Sequence, residues 1–225
     1  AWKNILRGFD NSTVGQSGRR NVVRYDSPSF GGFSVAAAWG EDDLWDAALT
    51  YKGDVGDFAL TGKAGYGEGT DESKTGTACG GPAPGFECKW AGASGTIMHK
   101  PSGLYVYGGY GWQKIDTPLF TGDDTSTTWV IQPGIEKKWM PLGKTTVFGE
   151  YRHDDPGANG LSGADASFGG NINFWAGGVV QNIEAAAADL YLIYRHADGD
   201  YKPSAATSVS LDGFDAVLGG MLIQF

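Results

Sequence analysis

Apolar and polar residues alternate with a period of two along most of the chain. The clearest run closes it: Gly213-Phe-Asp-Ala-Val-Leu-Gly-Gly-Met-Leu-Ile-Gln-Phe225, where Val217, Gly219, Met221, Ile223 and Phe225 form one stripe. That period puts a stripe on one face of a β-strand. The same reading predicts strands over 21–27, 33–40, 44–52, 57–67, 91–99, 104–114, 127–137, 144–152, 173–182, 187–196 and 213–225. In 104–114, Leu104, Val106, Gly108, Tyr110 and Trp112 oppose Tyr105, Tyr107, Gly109, Gly111 and Gln113. In 44–52, Trp45, Ala47, Leu49 and Tyr51 oppose Asp46, Thr50 and Lys52. The apolar stripes often begin or end in Trp, Tyr or Phe, as girdles at two lipid interfaces require. The second face carries charges at mid-strand, which suits a wet lumen and is costly in a dry core.

The connections carry a second signal. Residues 27–32, 53–56, 100–103, 138–143 and 183–186 are short, and all but the last are punctuated by Gly or Pro. Between them lie 41–43, 68–90, 115–126, 153–172 and 197–212, mostly long, polar and Asp-rich. A transmembrane β-barrel sorts its connections in this way, with short periplasmic turns on one rim and longer extracellular loops on the other. The turn sides make the first and last predicted strands run in the same sense, from outside to periplasm. A closed bacterial barrel has an even strand number with both ends periplasmic. The expectation is therefore an antiparallel all-β transmembrane barrel with an odd number of strands upstream of those predicted here.

Composition narrows the class further. The chain has 225 residues, 37 of them Gly, 13% aromatics and a formal net charge of −9; its mean hydropathy is −0.26. An acidic chain lacks the basic footprint of nucleic-acid binding. No apolar run approaches the ~18 residues of a membrane helix, so a membrane span here is a closed barrel. No signal peptide stands at Ala1, and the numbering is expected to begin on a mature or truncated chain. Cys79 and Cys88 lie in a Gly/Pro-rich stretch with no nearby His, which speaks against a metal site. Two free thiols are one reading; a disulfide closing the small loop is the expected one, and implies an oxidising compartment.

At residues 21–42 the chain resembles a known family. Asn21-Val-Val-Arg-Tyr-Asp-Ser-Pro-Ser-Phe-Gly-Gly-Phe-Ser-Val-Ala-Ala-Ala-Trp-Gly-Glu-Asp42 is similar to the strand–turn–strand that follows the constriction loop in Gram-negative general diffusion porins. The Trp-Gly-Glu-Asp style resembles the alphaproteobacterial branch, and the C-terminal Phe resembles the assembly signal of outer-membrane barrels. The resemblance implies the last eleven strands of a sixteen-stranded barrel, with residues 1–20 as the end of the constriction loop and 21–225 as barrel wall. It implies Asp10 on the acidic side of the constriction and Arg19, Arg20 and Arg24 where the loop rejoins the wall. It also implies an outer-membrane location, lipid and lipopolysaccharide as neighbours, a homotrimer, and small hydrophilic solutes as cargo. Small outward residues, such as Ala37 and Ala47 near Phe33 and Trp39, suit close packing of barrel walls.

By parity, the lumen-facing charges are basic at Arg24, Lys52, Lys63, Arg152 and Arg195, and acidic at Asp26, Asp46, Glu136, Glu150 and Asp189. Arg24 with Asp26 and Glu150 with Arg152, two apart on one strand, are expected to neutralise each other. The wall then sets no strong sign, and Asp10 at the narrowest point predicts weak cation selectivity. Enzyme readings are poor: His99, His153 and His196 lie at predicted strand ends, without an HxxxH spacing or a Gly-x-Ser-x-Gly elbow. Asp42-Asp43, Asp123-Asp124 and Asp154-Asp155 read as solvated loop charge rather than calcium ligands, and Asp198-Gly-Asp200 lacks the rest of a calcium-loop motif. No cofactor is expected. The competing functions are a surface adhesin or structural barrel, whose relevant feature is 68–90, and a soluble lectin-like sandwich.

Overall fold

A computed structural model of the protein describes residues 21–40, 43–70, 87–116, 124–157, 168–204 and 206–223. They form one antiparallel sheet of eleven strands in strict chain order. These are β1 (Val22–Asp26), β2 (Phe33–Gly40), β3 (Trp45–Val55), β4 (Phe58–Gly69), β5 (Glu87–His99), β6 (Leu104–Asp116), β7 (Thr125–Met140), β8 (Gly143–Asp155), β9 (Gly170–Ile183), β10 (Ala188–Ser204) and β11 (Thr207–Ile223). All eleven predicted strands are present, several longer than expected. Every neighbour in sequence is a neighbour in the sheet, as hairpin connections dictate. Among the described residues no helix is long and apolar enough to cross a membrane; the Ala-rich segment after β9 is a single 3₁₀ turn, Glu184–Ala186.

Of the stretch 197–212, expected as a long loop, residues 197–204 and 207–212 are strand. β10 and β11 run on through it, paired as far as Ser204 with Thr207. Two irregularities in their pairing, between Ala197 and Gly199 and between Tyr201 and Ser204, break the period of two that sequence reading relies on. Asp198-Gly-Asp200 accordingly lies inside β10 and not in a loop. β7, β10 and β11 have 16, 17 and 17 residues, whereas a tilted membrane strand needs only about 9–11. Their far ends project beyond a bilayer.

Register separates the two faces. On β2 the outer residues Phe33, Val35, Ala37 and Trp39 are exposed, while Ser34, Ala36, Ala38 and Gly40 are half-buried. Outer residues pair with outer ones across the sheet, as in Ala37 with Ala47 and Ala47 with Tyr66. The outer face carries aromatics at two levels. Near the short turns, the rings of Phe33 and Tyr51 lie 4.6 Å apart, and those of Phe58 and His99 5.1 Å. Toward the other rim, Trp45 meets Tyr66 at 5.5 Å, and Tyr151 meets Trp129 at 5.0 Å and Trp175 at 4.2 Å. Between the two levels the face is aliphatic and exposed: Leu49 46%, Val106 46%, Ile131 45% and Val147 43%. An apolar band flanked by aromatic belts is the outer surface of a membrane barrel.

The short turns fit their residues. Gly103 has φ +76°, and a Cβ there would collide with the Glu136 carbonyl, so this turn between β5 and β6 takes only glycine without strain. One feature of the inner face departs from the expected wet wall. Toward the rim away from the short turns, Ile172, Phe174 and Ala197 are buried and pack with Tyr201 and Leu211. A small apolar core therefore sits on the inner side of β9–β11.

Candidate functional site

The inner face is the candidate site, and each of its charges is placed by strand parity. Arg24 and Asp26, opposite Ala38 and Ala36, are ion-paired as expected: Arg24 Nη2 donates to Asp26 Oδ1 at 2.7 Å and Nε to Oδ2 at 2.8 Å. Glu150 and Arg152, by contrast, are not each other's partners. Arg152 pairs with Asp154, Nη2 to Oδ2 at 2.7 Å and Nε to Oδ1 at 2.8 Å. Asp154 is fully buried and also accepts from the Thr128 hydroxyl. It is therefore a structural wall carboxylate rather than solvated loop charge. Glu150 instead meets Arg195 across two strands at 3.4 Å. Both guanidinium groups lie over the Phe174 ring, 5.3 and 5.9 Å from its centroid. A buried carboxylate attracts the cation more strongly than a hydrated one, so Arg152 takes Asp154, two residues along its own strand, and leaves Glu150 to Arg195.

Near the short turns, Glu136 accepts from Lys144 at 2.7 Å, and Asp189 accepts from Asn182 Nδ2 at 2.8 Å. Asp54, paired to Lys100 at 3.1 Å, shares the face. Asp54, Lys144 and Asp154 are the wall charges that sequence reasoning missed. Asp54 and Asp154 lie where the strands outrun their predicted ends; Lys144 stands at the first position of the predicted strand 144–152. Asp46, Lys52 and Lys63 lie on the same face as Thr50 and Thr61 and make no ion pair among the described residues. Asp10, Arg19 and Arg20 lie outside the described residues.

Cys88 is fully buried and disulfide-bonded, and Gln113 Nε2 approaches its Sγ at 3.7 Å. Its expected partner, Cys79, lies outside the described residues. The three histidines all lie on the outer face. His99 sits at the short-turn end against Phe58. His153 and His196 sit toward the opposite rim, bonded to Asn173 and Asp215 at 2.8 Å each. There Tyr194 OH also donates to Asp215 at 2.6 Å, and Asn173 Nδ2 to Asp198 at 2.9 Å. This polar network is interleaved with the aromatic row of Trp129, Tyr151 and Trp175, for Trp129 pairs with His153 and Trp175 with His196.

An antiparallel sheet with a charged, hydrogen-bonded inner face and a belted apolar outer face defines an outer-membrane β-barrel. The sequence profile of Gram-negative porins matches residues 2–213. The chain belongs to that family, and its place is the outer membrane of a Gram-negative bacterium. Solved structures agree on the fold. In-vitro folded OmpT, an outer membrane protein of Vibrio cholerae in its trimer form, is 17% identical with a TM-score of 0.53, over 89% of this chain and 64% of that one. Outer-membrane expressed OmpT of Vibrio cholerae is 16% identical with a TM-score of 0.52, over 96% and 70%. A loop-deletion mutant of the same protein gives 15% and 0.51, over 89% and 62%. The chain thus spans about two thirds of the length of these structures. No curated protein matches it.

Proposed function

We propose that this chain forms the wall of a water-filled pore for passive diffusion of small hydrophilic solutes and ions. The observation that carries the reading is the inner face. Its charges are spread along the strands from the short turns to the opposite rim, most are neutralised by partners on the same wall, and the outer face is built for lipid. Such a wall stays hydrated while presenting no deep energy well to a passing solute. The edges of the described sheet, β1 and β11, do not pair with each other. Lipid tolerates no open sheet edge, so further strands completing an even-numbered, sixteen-stranded barrel fit the reading.

Asp10, Arg19 and Arg20 belong in this proposal to the constriction, with Asp10 giving weak cation selectivity. Reversal potentials across a salt gradient test this: Asp10→Asn lowers cation preference more than Asp189→Asn does, and the opposite order refutes the placement. The barrel assembles as a trimer through small outer residues such as Ala37 and Ala47. One solved relative is a trimer, and native mass spectrometry in mild detergent showing only monomer sinks this part. The polar outer network around Asn173 and Asp215 contacts lipopolysaccharide. The protein works by passage and not by catalysis; its three histidines sit on the outer face, away from the lumen. Liposome swelling tests the function: rates fall steeply with sugar size if the pore is a sieve. A surface adhesin barrel gives no swelling with any sugar.

A further inference from the structure

We propose that Lys52 and Lys63 form a phosphate-binding station on the inner wall, selective for small phosphomonoesters; the proposal rests on reading that wall as the lining of a lumen. Most cations of the wall are engaged. Arg24, Arg152, Arg195 and Lys144 each have a carboxylate partner at 2.7–3.4 Å. Lys52 and Lys63 are exposed, and neither ammonium meets a carboxylate among the described residues. A lysine head with no internal partner keeps all three donors for a ligand.

Register gathers further donors around them. Lys63 pairs with Thr50 on one side and Ser94 on the other. Lys52 pairs with Thr61, which faces Thr96, and Thr96 faces Tyr107. Two successive rows of the wall therefore present two ammonium groups and five hydroxyls to one space. Lys52 and Lys63 are diagonal neighbours across β3 and β4, with Cβ atoms about 7–8 Å apart or less. Two flexible four-carbon stems converge on one phosphate from that separation. Two acidic residues of β3 share this face. Asp54 is held by Lys100 at 3.1 Å; Asp46, six residues from Lys52 along β3 and about 20 Å away at the rise of a strand, lines the far end of the neighbouring hollow beside Trp90.

The neighbouring cavity accounts for the organic part. A hollow of about 520 Å³ is lined by Lys63, Ser94 and Tyr107 at one end and Trp90 at the other, with Gly65 and Gly92 between. The Trp90 ring lies against Gly67, where any side chain would displace it. A sugar or polyol attached to the phosphate finds there both room and an aromatic surface. The phosphate, with a charge of about −1.5 to −2 near neutral pH and three acceptor oxygens, matches the lysines and hydroxyls.

The test uses the full chain in planar bilayers at about 0.15 M salt, where screening leaves nearby charges effective. Inorganic phosphate is added first, then a hexose phosphate against the free hexose. The wild-type pore loses conductance saturably with phosphate, and more tightly with the hexose phosphate; the free hexose alone does nothing comparable. Lys52→Gln and Lys63→Gln each raise the half-blocking concentration about three- to ten-fold, the double variant by more. Lys63→Arg keeps the block. Lys138→Gln, which removes a lysine paired to Glu184 at the short-turn rim, leaves it unchanged. An open wild-type pore indifferent to phosphate overturns the proposal, as does equal block in the double variant. If the folded protein conducts no ions, it is the pore reading that fails. The station is then read from broadening of the ³¹P signal of phosphate by detergent-folded protein, and equal broadening by wild type and double variant overturns it.

Discussion

Placing an arginine at Leu49 and, separately, at Ala48 separates a membrane wall from every other kind of sheet. Leu49 is 46% exposed on the outer face, between Val35 of β2 and Ala64 of β4. It lies four residues from Trp45 and six from Val55, about 14 and 20 Å along the strand, well inside an apolar band about 25 Å tall. Ala48 is the adjacent residue on the inner face, beside Ala36 and Gly65 and two residues from Asp46. Near the bilayer midplane an outward arginine costs about 2–4 kcal/mol, or roughly 30- to 1,000-fold in the folding equilibrium. The inward arginine stays hydrated with a carboxylate close by, and costs within about 1 kcal/mol. On a water-exposed sheet both changes would stay near about ±0.5 kcal/mol, because surface substitutions seldom do more. The assay is reversible urea unfolding in lipid vesicles, followed by tryptophan fluorescence. Equal costs at the two positions, or the larger cost at Ala48, refute the assignment of the faces.

Other outcomes follow from the inner wall. Asp154→Ala leaves the Arg152 guanidinium beside a buried void and destabilises by about 3–5 kcal/mol, whereas Glu150→Ala, at a longer and more exposed pair, costs less than about 1 kcal/mol; the same urea titration reads both, and similar values contradict the pairing described. Ile172→Ala opens a cavity in the apolar cluster with Phe174 and Ala197 and costs about 2–4 kcal/mol; an unchanged midpoint shows that the cluster is not packed. Non-reducing mass spectrometry should find the intact chain two hydrogens lighter than the dithiol, with Cys79 joined to Cys88, and alkylation of both thiols without reductant contradicts that bond.

The barrel was legible because its wall is one residue thick. Each side chain faces lipid or lumen, so the period of two survives in Trp45–Tyr51 and Leu104–Trp112 with little interference. Legibility ends where the strands leave the bilayer. With water on both sides the outer positions of β10 accept Asp198 and Asp200, the contrast between faces is lost, and two register shifts complete the disguise. Charge positions were legible by parity at Arg24, Lys52, Lys63 and Arg195, and so was the Arg24–Asp26 pair, but the partners of Arg152 and Glu150 were not. Spacing along one strand pointed to Glu150 for Arg152, whereas the partner is Asp154, whose burial depends on packing across strands against Thr128 and Ile172. The inner apolar cluster was hidden for the same reason, being assembled from β9, β10 and β11 at long sequence separation.

The central claim is that the wall encloses a continuous aqueous path, and single-channel recording tests it most directly. Purified, detergent-folded protein is added to one side of a planar bilayer in potassium chloride. The account predicts discrete, ohmic conductance steps that scale with bulk salt, because a wide hydrated pore carries ions much as solution does. Protein that inserts with full strand content yet produces no steps, or steps that saturate at low salt, contradicts it.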